Sequence, residues 1–174
     1  INQSTLNKKY ALENAVYFDF VNTLSERLSL RYGLRFSQFL RLKQNGLAKY
    51  FNNEPVVYDS LLGIYSSANP LSDEYFNNKN IFKSFYNIEP RINLSLNYPS
   101  YSFKLSYNRL NQYIHLISNT NSPTPLDIWT PSGPYIKPQK LDQFSLGFYK
   151  KLEFLNFESE FFYKKIKNRI DYID

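Results

Sequence analysis

The sequence predicts an all-β fold, about six antiparallel strands forming a segment of an up-and-down transmembrane β-barrel. Three observations predict it. The stretch 28–42, LSLRYGLRFSQFLRL, alternates almost without error: Leu28, Leu30, Tyr32, Leu34, Phe36, Leu40 and Leu42 fall on one side of an extended strand, and Ser29, Arg31, Gly33, Arg35, Ser37 and Arg41 fall on the other. Its length exceeds both the roughly five or six residues of an average soluble strand and the roughly nine to eleven that a tilted strand needs to cross a bilayer. The connections between strands run short, long, short, long, short, as in outer-membrane barrels with tight periplasmic turns and long extracellular loops.

Taken in order, 13–22 sets Asn14, Val16, Phe18 and Phe20 against Glu13, Ala15, Tyr17 and Asp19, a noisier strand. The polar break 23–27 reads as a tight turn into the 28–42 strand. From Lys43 to about Asn80 periodicity stops, leaving a long connection with scattered aromatics. It returns over 81–96, where Tyr86, Ile88, Ile92 and Leu94 oppose Asn87, Glu89, Arg91, Asn93 and Ser95. Pro90 lies inside this strand and removes a ladder hydrogen bond, which predicts a bulge or a local edge. After the turn NYPS, 97–100, a strand sets Tyr101, Phe103, Leu105 and Tyr107 against Ser102, Lys104, Ser106 and Asn108 and runs on towards Ile117. A second long connection, 118–138, carries the single Trp. Two strands close the chain: 140–152, with Phe144, Leu146 and Phe148 opposite Gln143, Ser145, Gly147 and Tyr149, and 157–170, with Phe157, Phe161 and Tyr163 opposite Glu158, Glu160 and Lys164. Turns near Ser25, Pro99 and Asn156 then face the periplasm. Tyr101, Phe157 and Tyr163 are candidates for the aromatic boundary between lipid and water.

Composition narrows the function. The 174 residues include 16 Tyr and 15 Phe but no Cys, which excludes disulfides, thiolate metal sites and cysteine nucleophiles. No run approaches about eighteen consecutive apolar residues, so no helix spans a membrane, while barrel strands escape such a test. The net charge of +6 is spread along strands and mixed with Asp and Glu, unlike a nucleic-acid footprint. An enzyme is not expected: the lone His115 reads as a packed or solvated residue, and Glu158 and Glu160 as a solvated pair. No metal or cofactor is expected. The start at Ile1 and the lack of Met read as an internal piece of a longer, processed chain.

The ordered phrases LSLRYGLRFSQF, EPRINLSLNY, SNTNSPTPLDIWTPSGPYIKPQKLDQFSLGFYKKL (118–152) and FYKKIKNRIDY resemble successive barrel strands of TonB-dependent outer-membrane receptors, of the kind abundant in Bacteroidetes. The resemblance covers nearly the whole chain. It implies a barrel of about 22 strands closed by an N-terminal plug, and nutrient import energised by the TonB–ExbB–ExbD complex. The plug and the TonB-binding motif lie outside these residues, and six strands fall short of the eight that the smallest such barrel needs. The partners implied are the remainder of the barrel and its plug, outer-membrane lipid and a surface-exposed lipoprotein.

On that reading Arg31, Arg35, Arg41, Arg91 and Lys104 face the lumen with Glu158, Glu160 and Lys164, where the basic column holds plug carboxylates in preference to an anionic substrate. Tyr50, Tyr58, Trp129 and Tyr135 are candidates for substrate contact in the loops. The alternative reading is a structural or secretion-linked barrel that docks surface lipoproteins, and a soluble all-β binding module stands third. The faces also predict that Leu34→Arg impairs assembly and that Arg35→Ser is tolerated.

Overall fold

The computed structural model describes residues 8–43, 49–71, 80–117 and 128–170. Among these described residues ten strands form: β1 (Ala11–Thr23), β2 (Leu28–Leu42), β3 (Val56–Asp59), β4 (Ile64–Ser67), β5 (Ile81–Asn97), β6 (Tyr101–Gln112), β7 (Ile114–Ile117), β8 (Ile128–Pro131), β9 (Gln139–Lys151) and β10 (Asn156–Lys167). Six of them make one antiparallel sheet in the order β1-β2-β5-β6-β9-β10, with β1 and β10 as its edges. The sheet is open. The β1–β2 turn is fixed by Ser25, whose Oγ accepts from Leu28 N at 3.1 Å, the short-range side-chain turn that Ser favours. The β5–β6 and β9–β10 turns close through Tyr98 N to Tyr101 O, 2.8 Å, and Leu152 N to Leu155 O, 2.9 Å.

Alternation in each strand is phased so that like meets like across the ladders. One row of cross-strand partners runs Phe20–Tyr32–Ile92–Tyr107–Phe144–Tyr163 through all six strands, and the next runs Asn22–Leu30–Leu94–Leu105–Leu146–Phe161. The row on the loop side of the first, Asp19–Gly33–Arg91–Asn108–Gln143–Lys164, belongs to the opposite face. A one-residue slip would invert every strand's faces, so the registers are tightly specified.

The burial of these faces is inverted relative to a globule. Leu34, Phe36, Ile88, Leu105 and Leu146 are exposed, with Phe161 at 71%, whereas Ser37 is fully buried and Glu89 is 1% exposed. The only buried hydrophobic residues among those described are Phe39 and Tyr113. They stack with ring centroids 4.7 Å apart and planes within 3°.

A second layer produces that burial. The β5–β6 pairs run from Asn97↔Ser102 to Arg91↔Asn108 and stop beside Pro90, which has no N–H to offer. The sequence allowed a bulge or an edge here; the outcome is an edge, and β2 pairs through Pro90 without a shift, its irregularity lying at Arg41/Leu42. Freed from β5, the end of β6 continues into the β7–β8 hairpin with its phase changed. Leu110, Gln112, Ile114 and Leu116 are exposed, while Tyr113 and His115 are buried. The buried set meets the polar face of β2 and β5: Tyr113 Oη lies 2.6 Å from Ser37 Oγ and accepts from Asn87 Nδ2 at 2.8 Å, and Asn111 Nδ2 donates to Glu89 Oε1 at 3.0 Å. This small core is therefore largely polar and held by a side-chain network, with Glu89 Oε2 and Asn111 Oδ1 left outside its hydrogen bonds.

The first long connection carries a hairpin that the sequence reading left aperiodic, and the second carries β8, whose partner β7 is the end of the strand read as running on towards Ile117. β3 pairs with β4 after a 3-10 turn at Phe51–Asn53, and β7 pairs with β8. Each is four residues per strand, too short for alternation to register.

Candidate functional site

All eight charged residues singled out from the sequence lie on the polar face. Gly33↔Arg91, Arg31↔Asn93, Arg35↔Glu89 and Arg41↔Lys83 pair across β2 and β5, Lys104↔Gly147 across β6 and β9, and Glu158↔Tyr149, Glu160↔Gly147 and Lys164↔Gln143 across β9 and β10. They divide into groups. Arg31, Arg35 and Arg91 line a cleft of about 420 Å³ with Asp19, Asn93 and Asn108. Gly33 is its floor: a Cβ there would stand 2.8 Å from the Phe18 carbonyl oxygen, so only glycine admits the close approach of β1. Lys104, Glu158 and Glu160 line a shallower groove of about 610 Å³ near the turns. Lys164 extends over the Phe162 ring, 4.8 Å from its centroid. Arg41 stands apart, beneath the hairpin.

Acids inside the sheet answer two of the β2 arginines. Arg31 forms a fork with Asp19, Nε to Oδ2 at 2.9 Å. Arg35 Nη2 donates to Glu13 Oε1 at 2.8 Å, and its Nη1 stands 3.5 Å from Glu89 Oε2. That Glu89 oxygen has no hydrogen bond, so Arg35 is its sole counter-charge. Arg35→Ser, expected from the faces to be tolerated, would remove this counter-charge and leave the buried Glu89 carboxylate with its bonds to Ser37 and Asn111 alone.

The four loop aromatics do not gather into one platform. Tyr50 and Tyr135 meet edge to face at 5.5 Å, joining the two long connections, and Tyr58 packs on Tyr65 within the β3–β4 hairpin at 4.8 Å. Trp129 is on β8, paired with Leu116 and 63% exposed. Of the proposed boundary aromatics, Tyr101 stacks on Tyr98 at the turn, 4.5 Å, and Phe157 packs on Phe148, 6.2 Å. Tyr163 lies in the row that crosses the whole sheet rather than at a strand end.

On the other face the apolar residues form a bounded band. It covers Val16–Phe20 on β1, Leu28–Phe36 on β2, Ile88–Leu96 on β5, Tyr101–Tyr107 on β6, Phe144–Phe148 on β9 and Phe157–Tyr163 on β10, with Ser159 its one small polar member and no charged residue. Towards the loops it ends at Asn14–Gln38–Tyr86, joined by 3.2 Å hydrogen bonds, and at Arg109–Asp142–Lys165, where Arg109 Nε donates to Asp142 Oδ1 at 2.7 Å. Towards the turns it ends at Asn22 on β1 and at Lys150 on β9. Between β1 and β9 the band shifts along the ladder in steps, β2 and β5 occupying the same five rows. On β1 it occupies the row of Phe20 and two rows towards the loops; on β9 it occupies the row of Phe144, which is the same row, and two rows towards the turns.

Comparison with known proteins brings no match: no family model, no curated protein and no solved structure aligns with the chain.

Sequence reasoning missed the inner layer of Asn111, Tyr113, His115, Thr130 and Ser132. His115 Nε2 lies 3.0 Å from Ser132 Oγ, and burial lowers its pKa from the ordinary 6.5. Among the described residues no group of three or more His, Asp or Glu gathers in the way a metal requires. A signal was present: after Tyr107 the apolar residues of this strand move from odd to even positions, at Leu110, Ile114 and Leu116.

Proposed function

We propose that this chain is part of the wall of an outer-membrane transporter of the TonB-dependent kind, with its apolar face against lipid and its polar face lining an aqueous interior. The observation that carries this reading is the oblique apolar band. Its slide of two rows, or four residues at about 3.4 Å each, is about 14 Å over the four interstrand steps from β1 to β9, about 19 Å at 4.8 Å per step. The implied angle between band and ladder is about 35°, within the tilt at which strands cross a membrane in barrels. A globular sheet has no reason to keep its apolar band level with a plane that its own hydrogen bonds cross at such an angle.

The remaining features fit the same role. The open edges of β1 and β10 pair with the rest of the barrel, since unpaired backbone is not tolerated in lipid. The clefts around Arg31, Arg35 and Arg91 supply polar contacts to a plug that must rearrange when TonB–ExbB–ExbD pulls on it. The loop-side hairpins face outward to the medium, where they help to capture a nutrient and meet a surface lipoprotein.

Two probes test the faces. Leu34→Cys and Asn93→Cys, each carrying a fluorophore in vesicle-reconstituted protein, separate them: quenching of the first by brominated lipid and of the second by aqueous iodide is expected. The reverse pattern overturns the assignment. Uptake by cells that is indifferent to loss of ExbB–ExbD overturns energised import while leaving the wall intact.

A further inference from the structure

The three β2 arginines of the polar face differ in one respect. Arg31 has Asp19, and Arg35 has Glu13 and Glu89, but Arg41 forms no ion pair with any described residue. It is also the most deeply buried of the three at 4% exposure, and its guanidinium makes a single hydrogen bond, from Nη1 to the Tyr10 carbonyl at 3.3 Å. A buried cation without a counter-ion is among the costliest arrangements a fold can contain.

Its neighbours add to the imbalance. The ladder places Lys83 directly across from Arg41, and like charges in that relation destabilise a sheet. Lys9, which donates to Thr130 Oγ1 at 3.0 Å, stands near enough that burial and then the Arg41 charge lower its pKa from the ordinary 10.5. Among the described residues the roof contributes no acid: Gly133 lies on the Arg41 side chain, a Cβ there falling 3.7 Å from Cγ, and Ser132 and His115 bond each other. Arg41 and Lys9 meet at the loop end of the polar face, with Lys83 across the ladder and its Nζ 6.0 Å from the Phe85 ring centre, and among the described residues no anion pairs with Arg41.

We propose that Arg41 and Lys9 beneath the β7–β8 hairpin, together with the exposed Lys83 across the ladder, form a pocket that binds a multiply charged oxyanion, a phosphate or polycarboxylate group carried by a free solute. The planar fork of Arg41 takes two oxygens and the lysines act as point charges. The proposal rests on the reading of the polar face as an aqueous interior. The position at the loop end, where a solute would arrive from outside, selects a solute over the plug, which the clefts nearer the turns accommodate.

Calorimetric titration of inorganic phosphate, and separately of citrate, into the intact protein in detergent micelles at low salt tests it. Saturable binding of at least one anion is expected, weakened more than about tenfold in Arg41→Gln and about threefold in Lys83→Gln, and unchanged in Lys164→Gln. Arg41→Lys, which keeps the charge and loses the fork, gives an intermediate affinity and serves if Arg41→Gln does not fold. Equal binding by wild type and both Arg41 variants overturns the pocket, as does binding of phosphate-bearing lipid with neither free anion. Absence of all binding in a protein whose Leu34→Cys probe is quenched by lipid removes the pocket and leaves the transporter reading standing. Arg41-dependent binding in a protein whose probe is not quenched does the opposite.

Discussion

The polar face carries one alternation from end to end, yet its turn end and its loop end have different fates. Towards the turns Arg31, Lys104 and Glu160 stand exposed along open clefts. Towards the loops Ser37, Phe39, Arg41, Asn87 and Glu89, on β2 and β5 and on the same face of the sheet, are sealed beneath the β7–β8 layer. Hydrophobicity does not decide between them, because the sealed set holds two charges and one ring. What decides is whether a second layer arrives, and that layer arrives because β6 parts from β5 at Pro90. The open end obeys the pairwise rules of a solvated sheet, whereas the sealed end obeys the all-or-none accounting of a core.

The largest effect is expected where the layers interlock. Tyr113→Ala removes the stack on Phe39, takes the acceptor from Asn87 Nδ2 and leaves Ser37 only its 3.4 Å bond to Glu89, a loss of about 3–5 kcal/mol in equilibrium unfolding. A loss confined to local exchange of the hairpin would show instead that the two layers fold independently. Leu34→Arg, in the middle of the apolar band, lowers stability in vesicles by about 2–4 kcal/mol if lipid covers that face. An unaltered folding yield would count against lipid contact. Arg35→Ser costs about 2–3 kcal/mol, discounted because Arg35 is itself 34% exposed, and a second change, Glu89→Gln, recovers most of it. Additive losses in the double variant would break the link between the two residues.

A pH titration sharpens the comparison further. His115 has its pKa lowered by burial, so above 6.5 it is neutral whether the hairpin is docked or not. As pH falls through 6.5 the undocked state takes up a proton that the docked state refuses, beside the cations Lys9 and Arg41 and the neutral Thr130 and Ser132. Stability is therefore full above 6.5 and declines below it, and a denaturation midpoint that falls in wild type but less in His115→Gln is the expected readout. The smallest effect belongs to the open end: Asp19→Asn, removing a solvent-exposed ion pair with Arg31, leaves the midpoint unmoved. A clear shift there would mean that the cleft is less wet than its exposure indicates.

Much of this was readable from the chain. β2 begins and ends at the residues the alternation marks, and β1, β5 and β9 differ from the reading by a residue or two, because period-two patterning over twelve or more residues has no helical competitor. β10 stops at Lys167 rather than near Ile170. The two residues that spoil the β2 pattern turned out to be informative. Gln38 interrupts the apolar face because it bonds Asn14 and Tyr86 at the band's border, and Phe39 interrupts the polar face because Tyr113 covers it. Neither partner is close in sequence, so no local pattern could name it. The unpaired state of Arg41 was likewise invisible, since a column of arginines looks alike until each carboxylate is placed. Tyr17, Val21 and Phe162 sit on the polar face of the edge strands and are exposed there, which the edge position explains: β1 and β10 each have a sheet neighbour on one side only.

Pro90 has one more effect. Seven residue pairs join β5 to β6, against twelve to fifteen at every other junction of the sheet. The wall is therefore two three-stranded leaves, β1-β2-β5 and β6-β9-β10, sewn together along half their height, and any bending stress on it concentrates at that short seam.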